Sequence, residues 1–314
     1  MLREASKRVA MTRKSLSDLW QSVDPSLITS ACLVAVVGSL ALLPSMSSAV
    51  EARAVPSKAD AQVSGNIGQA NPCPSVNYVM GRDSPWVPTP DALVELMLDL
   101  VELTPQDYVI DLGSGDGRML IAAARRGASG HGIEFNPTMV ECANLRASQA
   151  GVTDKVRFIQ GDMFEADISK ATVMPLFLLE ENLAQLTPSF LKLAPGTRIA
   201  TNDYEIPGWG HDREVKREPG CVHWCRAMLW IVPAQVEGTW IIDQRGEVVL
   251  DQIYQELRGV FRQGREDVPV TGRLRGNDIT LKIDQVDYKG TVAKNTISLE
   301  GPDGTTLVMQ QKVQ

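Results

Sequence analysis

One run of this sequence sets acid and glycine at spacings suited to chemistry: Asp111-Leu112-Gly113-Ser114-Gly115-Asp116-Gly117-Arg118. Apolar Tyr108 to Ile110 read as a buried strand that Asp111 ends, and Met119 to Ala124 continue as an apolar helix. Glycines suit the loop between them because a side chain there would hold the backbone away from a ligand. The helix start then offers N–H groups to an anionic group. Together they make a nucleotide-type cofactor site at the carboxyl end of a parallel strand. The spacing is G-x-G-x-G followed by Arg118. A dinucleotide fingerprint is G-x-G-x-x-G, so the departure argues against NAD.

Four more acids stand at strand ends. Glu134 closes His131-Gly132-Ile133-Glu134, 23 positions after Asp111 and about one strand–helix–strand unit away. An acid there can accept from two ribose hydroxyls; the plainer reading is a solvated strand end. Asp162 and Met163 follow the third strand. They suit the edge and face of an adenine, the carboxylate accepting from the exocyclic amine, although a simple turn Asp fits equally. Glu180 and Asp203 follow the fourth and fifth strands, where a carboxylate could orient an ammonium and take its proton through water. Either can instead be a surface or helix-capping acid. Cys221, His223 and Cys225 look like a ligand cluster but fall in a stretch that reads as a strand. Positions i, i+2 and i+4 of a strand spread too far to close on one ion, so no metal is expected. The same spread forbids a Cys221–Cys225 disulfide unless the strand starts late.

The elements that must hold these residues alternate. Pro85 to Pro90 make a rigid extended lead-in, and Asp91 to Glu102 an amphipathic helix with Leu93, Leu96, Met97 and Leu100 on one stripe. Beyond the loop helix come a helix over Pro137–Ala150 and strands over Val156–Gln160, Val173–Leu179 and Arg198–Thr201. Leu183–Leu193 is helical, with Pro188 starting a second segment. Arg213–Arg217 and Trp224–Val232 read as a hairpin. Alternating β and α closed by an antiparallel pair predicts a three-layer α/β sheet.

From Val236 the composition changes to short alternating strands between Gly, Asn and Asp turns. Gly272 to Leu281 is repeated at Gly290 to Leu299 with an offset of 18, which fits two strands and two turns. The reading is an all-β meander, as a small barrel or sandwich, that stabilises the protein or binds a partner.

At this point a family resemblance emerges. D-x-G-x-G-x-G resembles motif I of class I S-adenosylmethionine-dependent methyltransferases. With Gly132-Ile133-Glu134-Phe135-Asn136-Pro137, the Pro-Trp-Val-Pro-Thr lead-in and the Asp203…Pro207…Trp209 loop, residues 80 to 235 resemble one branch of them. That branch includes the mitochondrial protein-lysine methyltransferases acting on the c-ring protein of ATP synthase and on the adenine nucleotide translocase. The resemblance implies a seven-stranded Rossmann-like sheet and S-adenosylmethionine as cofactor. It implies that Thr89, Asp111, Gly113, Gly115, Gly117, Glu134, Asp162 and Met163 hold the cofactor. It also implies a protein lysine as acceptor, with Asp203 and Glu180 as the catalytic candidates. The chain departs from the branch at Glu180-Glu181, where those enzymes tend to carry proline.

Composition bounds the partners. The chain has 314 residues, about two domains' worth. Its net charge of −7 and its lack of a basic stripe argue against nucleic acid. Residues 1–50 hold a basic region and the charge-free Leu27–Leu43, which at 17 residues is at the short limit of a membrane span. It reads as an anchor giving membrane association, or as a signal peptide with export. Residues 51–79 are a linker, 80–235 the methyltransferase domain and 237–314 the β-rich domain. The expected function is methyl transfer to a protein lysine, membrane proteins included. A small-molecule methyltransferase and a non-catalytic binding protein are the alternatives.

Overall fold

The computed structural model describes Cys73 and residues 86–216, 223–242 and 245–312. Leu27–Leu43 and Cys221 lie outside the described residues. Among the described residues no helix is long and apolar enough to cross a membrane.

The first half alternates as its apolar spacing predicts: α1 (Asp91–Leu100), β1 (Tyr108–Leu112), α2 (Arg118–Arg125), β2 (Ser129–Glu134), α3 (Pro137–Gln149), β3 (Val156–Gln160), β4 (Val173–Leu176), α4 (Glu180–Phe190) and β5 (Arg198–Asn202). Two antiparallel strands, β6 (Arg213–Lys216) and β7 (Arg226–Ile231), complete a seven-stranded sheet in the order β3-β2-β1-β4-β5-β7-β6. The order reverses at β1, so the carboxyl ends of β1 and β4 flank the crevice where such sheets bind ligands. Leu93, Met97, Leu120, Ala143 and Phe158 form the core on one side of the sheet, from α1, α2, α3 and β3. Leu183, Leu186 and Phe190 of α4 pack on the other side against Ile110, Met174 and Ile199.

Three local expectations are corrected. The α4 helix begins at Glu180 and runs unbroken through Pro188. Proline removes one helix hydrogen bond, but its place in the last turn and the burial of Leu183, Leu186 and Phe190 hold the helix together. The fourth strand ends at Leu176 instead of Leu179, because Leu179 is already the cap of α4. The β7 strand starts late, at Arg226. Trp224 adopts a left-handed φ of 51°, and the N–H groups of Cys225 and Arg226 donate to the Asp203 carboxylate at 3.2 and 3.1 Å. Cys225 is disulfide-bonded, as a late strand start permits. Cys73, in the expected linker, is disulfide-bonded to Cys142 of α3, a pairing with no sequence signal.

The second half is a meander that closes. Strands β8 (Gly238–Ile242), β9 (Gly246–Ile253), β10 (Glu256–Gln263), β11 (Glu266–Arg275), β12 (Asp278–Ile283), β13 (Val286–Ala293), β14 (Thr296–Glu300) and β15 (Thr306–Gln311) form a barrel, with β15 pairing back to β8. The 18-residue repeat is its hairpin unit. Gly272 pairs with Leu281 and Gly290 with Leu299. Ile279, Leu281, Ile297 and Leu299 fill the interior with Trp240 and Met309. Alternate strand positions point inward and are apolar, so the barrel is a packed core and not a pore.

The barrel is seated on the loop after β5. Trp209 is 2% exposed and its ring stacks on Tyr254 at 5.4 Å and 2°. Gln255 Nε2 donates to the Gly210 carbonyl at 2.6 Å, and Arg273 pairs with the buried Asp212 at 3.0 Å. Asp212 also accepts from the Ile231 N–H of β7 at 2.8 Å. Replacing Tyr254 by Ala uncovers Trp209 and should lower stability by about 1–3 kcal/mol. A urea titration should show this as a lower midpoint with the slope unchanged; an unaltered midpoint would mean the stack is idle.

Candidate active site

The loop from Asp111 to Gly117 is fixed by its own backbone. Gly113 and Ser114 N–H groups donate to the Ile133 carbonyl at 2.8 and 3.0 Å, and Gly117 N–H to the Ser114 carbonyl at 2.9 Å. Gly115 N–H donates to Glu134 Oε2 at 2.9 Å, and Glu134 Oε1 accepts from Asn136 N–H at 2.8 Å. These loop donors serve the fold instead of a ligand. A carboxylate offers about four acceptor positions, so Glu134 keeps capacity for a ribose diol.

Two glycines are demanded by packing. Gly115 has φ +53°, and a Cβ on it would lie 2.1 Å from Nε1 of Trp86. Gly117 has φ +79° and would drive a Cβ to 2.5 Å from the Phe158 ring. Trp86, in the lead-in, thus lies over the loop. Beside it, the Thr89 carbonyl accepts from Arg118 Nη1 at 2.8 Å. The rest of that guanidinium pairs with buried Asp116, to which Arg146 of α3 also reaches.

These residues line a single cleft along the carboxyl ends of β1, β2 and β4. Thr89, Asp111, Gly113, Glu134 and Met163 line it; Gly115 and Gly117 support it from below; Asp162 does not line it and accepts from the Phe164 N–H at 2.9 Å. Ser114 lines the cleft, and its Oγ is buried toward Gly132 without a hydrogen-bond partner, a cost in the ligand-free site. Asp111 is 6% exposed. Burial, and then the charge of Glu134, push its carboxyl well above the usual range. A cationic ligand would reverse that bias. An acid pair and a glycine loop whose Gly113, Ser114 and Gly115 N–H groups are already bonded fit a cationic nucleoside better than a dinucleotide.

Beyond Leu178 and Leu179 the cleft is walled by Phe177, Tyr204 and Trp224. Neither Glu180 nor Asp203 lines it. Glu180 is exposed in the first turn of α4, where a negative charge favours the helix dipole. Both Asp203 oxygens accept from the backbone ahead of β7, and its φ is 43°. The sequence reading missed Trp86, Ser114, Phe177, Tyr204 and Trp224. Trp86 stands in the quoted lead-in motif and Ser114 inside the glycine loop. The other three carried no spacing signal.

Sheet order, glycine loop and acid placement define the site of an S-adenosylmethionine-dependent methyltransferase of class I type. A family model described as the ANTKMT methyltransferase domain matches residues 111–213. A protein-lysine N-methyltransferase of Saccharolobus islandicus (strain REY15A) is 39% identical over 139 residues, 43% of this chain and 86% of that protein. An adenine nucleotide translocase lysine N-methyltransferase of Mus musculus is 31% identical over 127 residues, 40% of this chain and 55% of that protein. A solved RNA methyltransferase from Salinibacter ruber, in complex with S-adenosyl-L-homocysteine, is 43% identical; the match covers 48% of this chain and 96% of that one, with a TM-score of 0.45. The chain belongs to the methyltransferase family of the archaeal protein. It spans only a little over half the length of the mouse relative.

Two results should follow. Glu134→Ala should weaken S-adenosylmethionine binding by ~1–3 kcal/mol, the range for a charged hydrogen bond; an unchanged calorimetric dissociation constant in a folded variant would return Glu134 to a purely structural part. Asp111, with its raised pKa, adds stability that is complete below the ordinary Asp value and is lost as pH rises through the raised one. Asp111→Asn should flatten that loss and raise the ligand-free melting temperature at neutral pH, while weakening cofactor binding. Parallel pH dependence of the two melting curves would refute the assignment.

Proposed function

We propose that this methyltransferase acts on the side-chain amine of a protein lysine. Similarity across 86% of an archaeal protein named as a protein-lysine N-methyltransferase carries the reading. The cleft supports it. Its cofactor end holds the carboxylates Asp111 and Glu134, while its far end is apolar and aromatic.

When bound, S-adenosylmethionine supplies a methyl group already activated as a sulfonium. The chain's task is then alignment and dryness. Glu134 would hold the ribose, Met163 and Ile133 would flank the base, and Leu178 and Leu179 would exclude water at the acceptor end. A lysine nucleophile must be neutral, against a reference pKa of about 10.4. The proton therefore leaves to water before the amine attacks. Asp203 acts in this reading by fastening Cys225 and Arg226 to the end of β5, which sets Tyr204 and Trp224 in place. It is a positioning residue, and Glu180 a helix-start charge.

We also put the acceptor at a membrane, because the charge-free Leu27–Leu43 run gives the chain a means of attachment. The disulfide-bonded Cys73, Cys142 and Cys225 support the exported alternative, since such bonds persist in oxidising compartments.

The test is methyl transfer from labelled cofactor into a membrane extract, with protein, RNA and small-molecule fractions counted separately. Label should appear in protein and map by mass spectrometry to lysine. Asp203→Asn should lower turnover several-fold with cofactor affinity nearly unchanged, since alignment acts on the transition state. Label confined to RNA or to small molecules would overturn the lysine assignment.

A further inference from the structure

The acceptor end of the cleft has a chemistry of its own. Phe177 leaves the end of β4, Tyr204 the end of β5, and Trp224 the turn before β7; all three are partly buried and line the cleft. Their rings form one continuous wall: Phe177 and Trp224 meet edge to face with centroids 5.6 Å apart and planes at 66°, and Phe177 and Tyr204 lie 6.4 Å apart at 36°. Holding Trp224 there requires a left-handed backbone, and the Asp203 carboxylate pins the two residues that follow. Strain of this kind persists where the surroundings over-determine it and clusters at ligand sites.

Charge separates the two ends. The carboxylates lining the cleft are Asp111, Asp116 and Glu134, all of the glycine loop and the end of β2. Among the described residues the aromatic end is lined by none. An ammonium arriving there would meet π faces, whose quadrupole attracts cations. A second observation lies behind the wall. Leu176 pairs with Thr201 across the parallel β4–β5 ladder, so Phe177 and Asn202, one step on, share a face. Asn202 is 0% exposed, and neither its Oδ1 nor its Nδ2 has a partner. A buried, unsatisfied carboxamide is costly unless a ligand or a shift of the wall completes it.

We propose that Phe177, Tyr204 and Trp224 form a cation-recognising seat for the alkylammonium head of the methyl acceptor, backed by the Asn202 carboxamide. The amine enters charged and is charged again once it carries the new methyl group, and the π faces attract both forms. This rests on the reading of a lysine acceptor but makes a narrower claim, that positive charge and not shape alone is recognised.

The experiment uses the full chain saturated with S-adenosylhomocysteine and a matched pair of probes: choline, and its neutral isostere 3,3-dimethylbutan-1-ol. Binding is measured by ligand-observed saturation-transfer NMR and calorimetry. Choline should bind at least about tenfold more tightly than the isostere. Trp224→Ala should remove most of that ratio, and Trp224→Phe should restore it in large part. Thermal unfolding and S-adenosylhomocysteine titration show that each variant is folded. If Trp224→Ala does not fold, Phe177→Leu takes its place. Equal binding of the two probes, or an unchanged ratio in the folded alanine or leucine variant, would overturn the proposal. Failure of the lysine reading is distinguishable: the methylation assay would then find no labelled lysine while the choline preference persisted.

Discussion

The close approach of the glycine loop to the end of β2 is the constraint on which the rest depends. Gly113 and Ser114 hang from the Ile133 carbonyl, and Glu134 returns its carboxylate to the Gly115 and Asn136 N–H groups. One acid thus closes the loop, starts the turn into α3 and lines the cleft. The same closure uses the Gly113, Ser114 and Gly115 N–H groups. A loop so self-satisfied suits a cofactor whose charge is positive, and the rise in the Asp111 pKa in the ligand-free protein has the same meaning. The covering Trp86 extends the constraint to the lead-in, because only glycine at position 115 leaves room for the indole.

The barrel and the sheet share a seam rather than a flexible joint. Asp212 bridges the Ile231 backbone of β7 and Arg273 of β11, and Trp209 is buried under Tyr254. The loop that carries Trp209 follows Asp203 and Tyr204 directly. The barrel therefore braces the chain that leads away from the aromatic wall. Among the described residues no carboxylate of the barrel lines the cleft. Its strands alternate buried apolar and exposed polar residues, as in β12 and β14, which is the pattern of a barrel filled by side chains.

Glu180 and Asp203, the acids expected to serve the acceptor, are not among the residues that line the cleft. Position along the strands put Glu180 and Asp203 at the right edge of the sheet, and the structure keeps them there. Side-chain direction removed them from the cleft. Asp203 faces the backbone of the returning strand, where two N–H groups would otherwise go unpaired. Glu180 is drawn into the first turn of a helix that begins three residues earlier than its apolar period suggests.

What the sequence determined by itself was everything set by local spacing. The alternation of apolar runs placed the strands to within a few residues. The glycine loop after β1 marked the cofactor end, Glu134 stood one β–α–β unit on, and the 18-residue repeat announced paired hairpins. These signals are local because strand and helix periods, tight turns and backbone approach are decided by neighbours along the chain. Tertiary structure alone decided the closure of the meander into a barrel, which needs β15 to meet β8 across more than sixty residues. It also decided the Cys73–Cys142 pairing across 69 positions, the Trp209–Tyr254 seam, and the meeting of Phe177, Tyr204 and Trp224 from three separate strand ends. Those contacts depend on where side chains point after the sheet is assembled, and no period in the sequence encodes that direction.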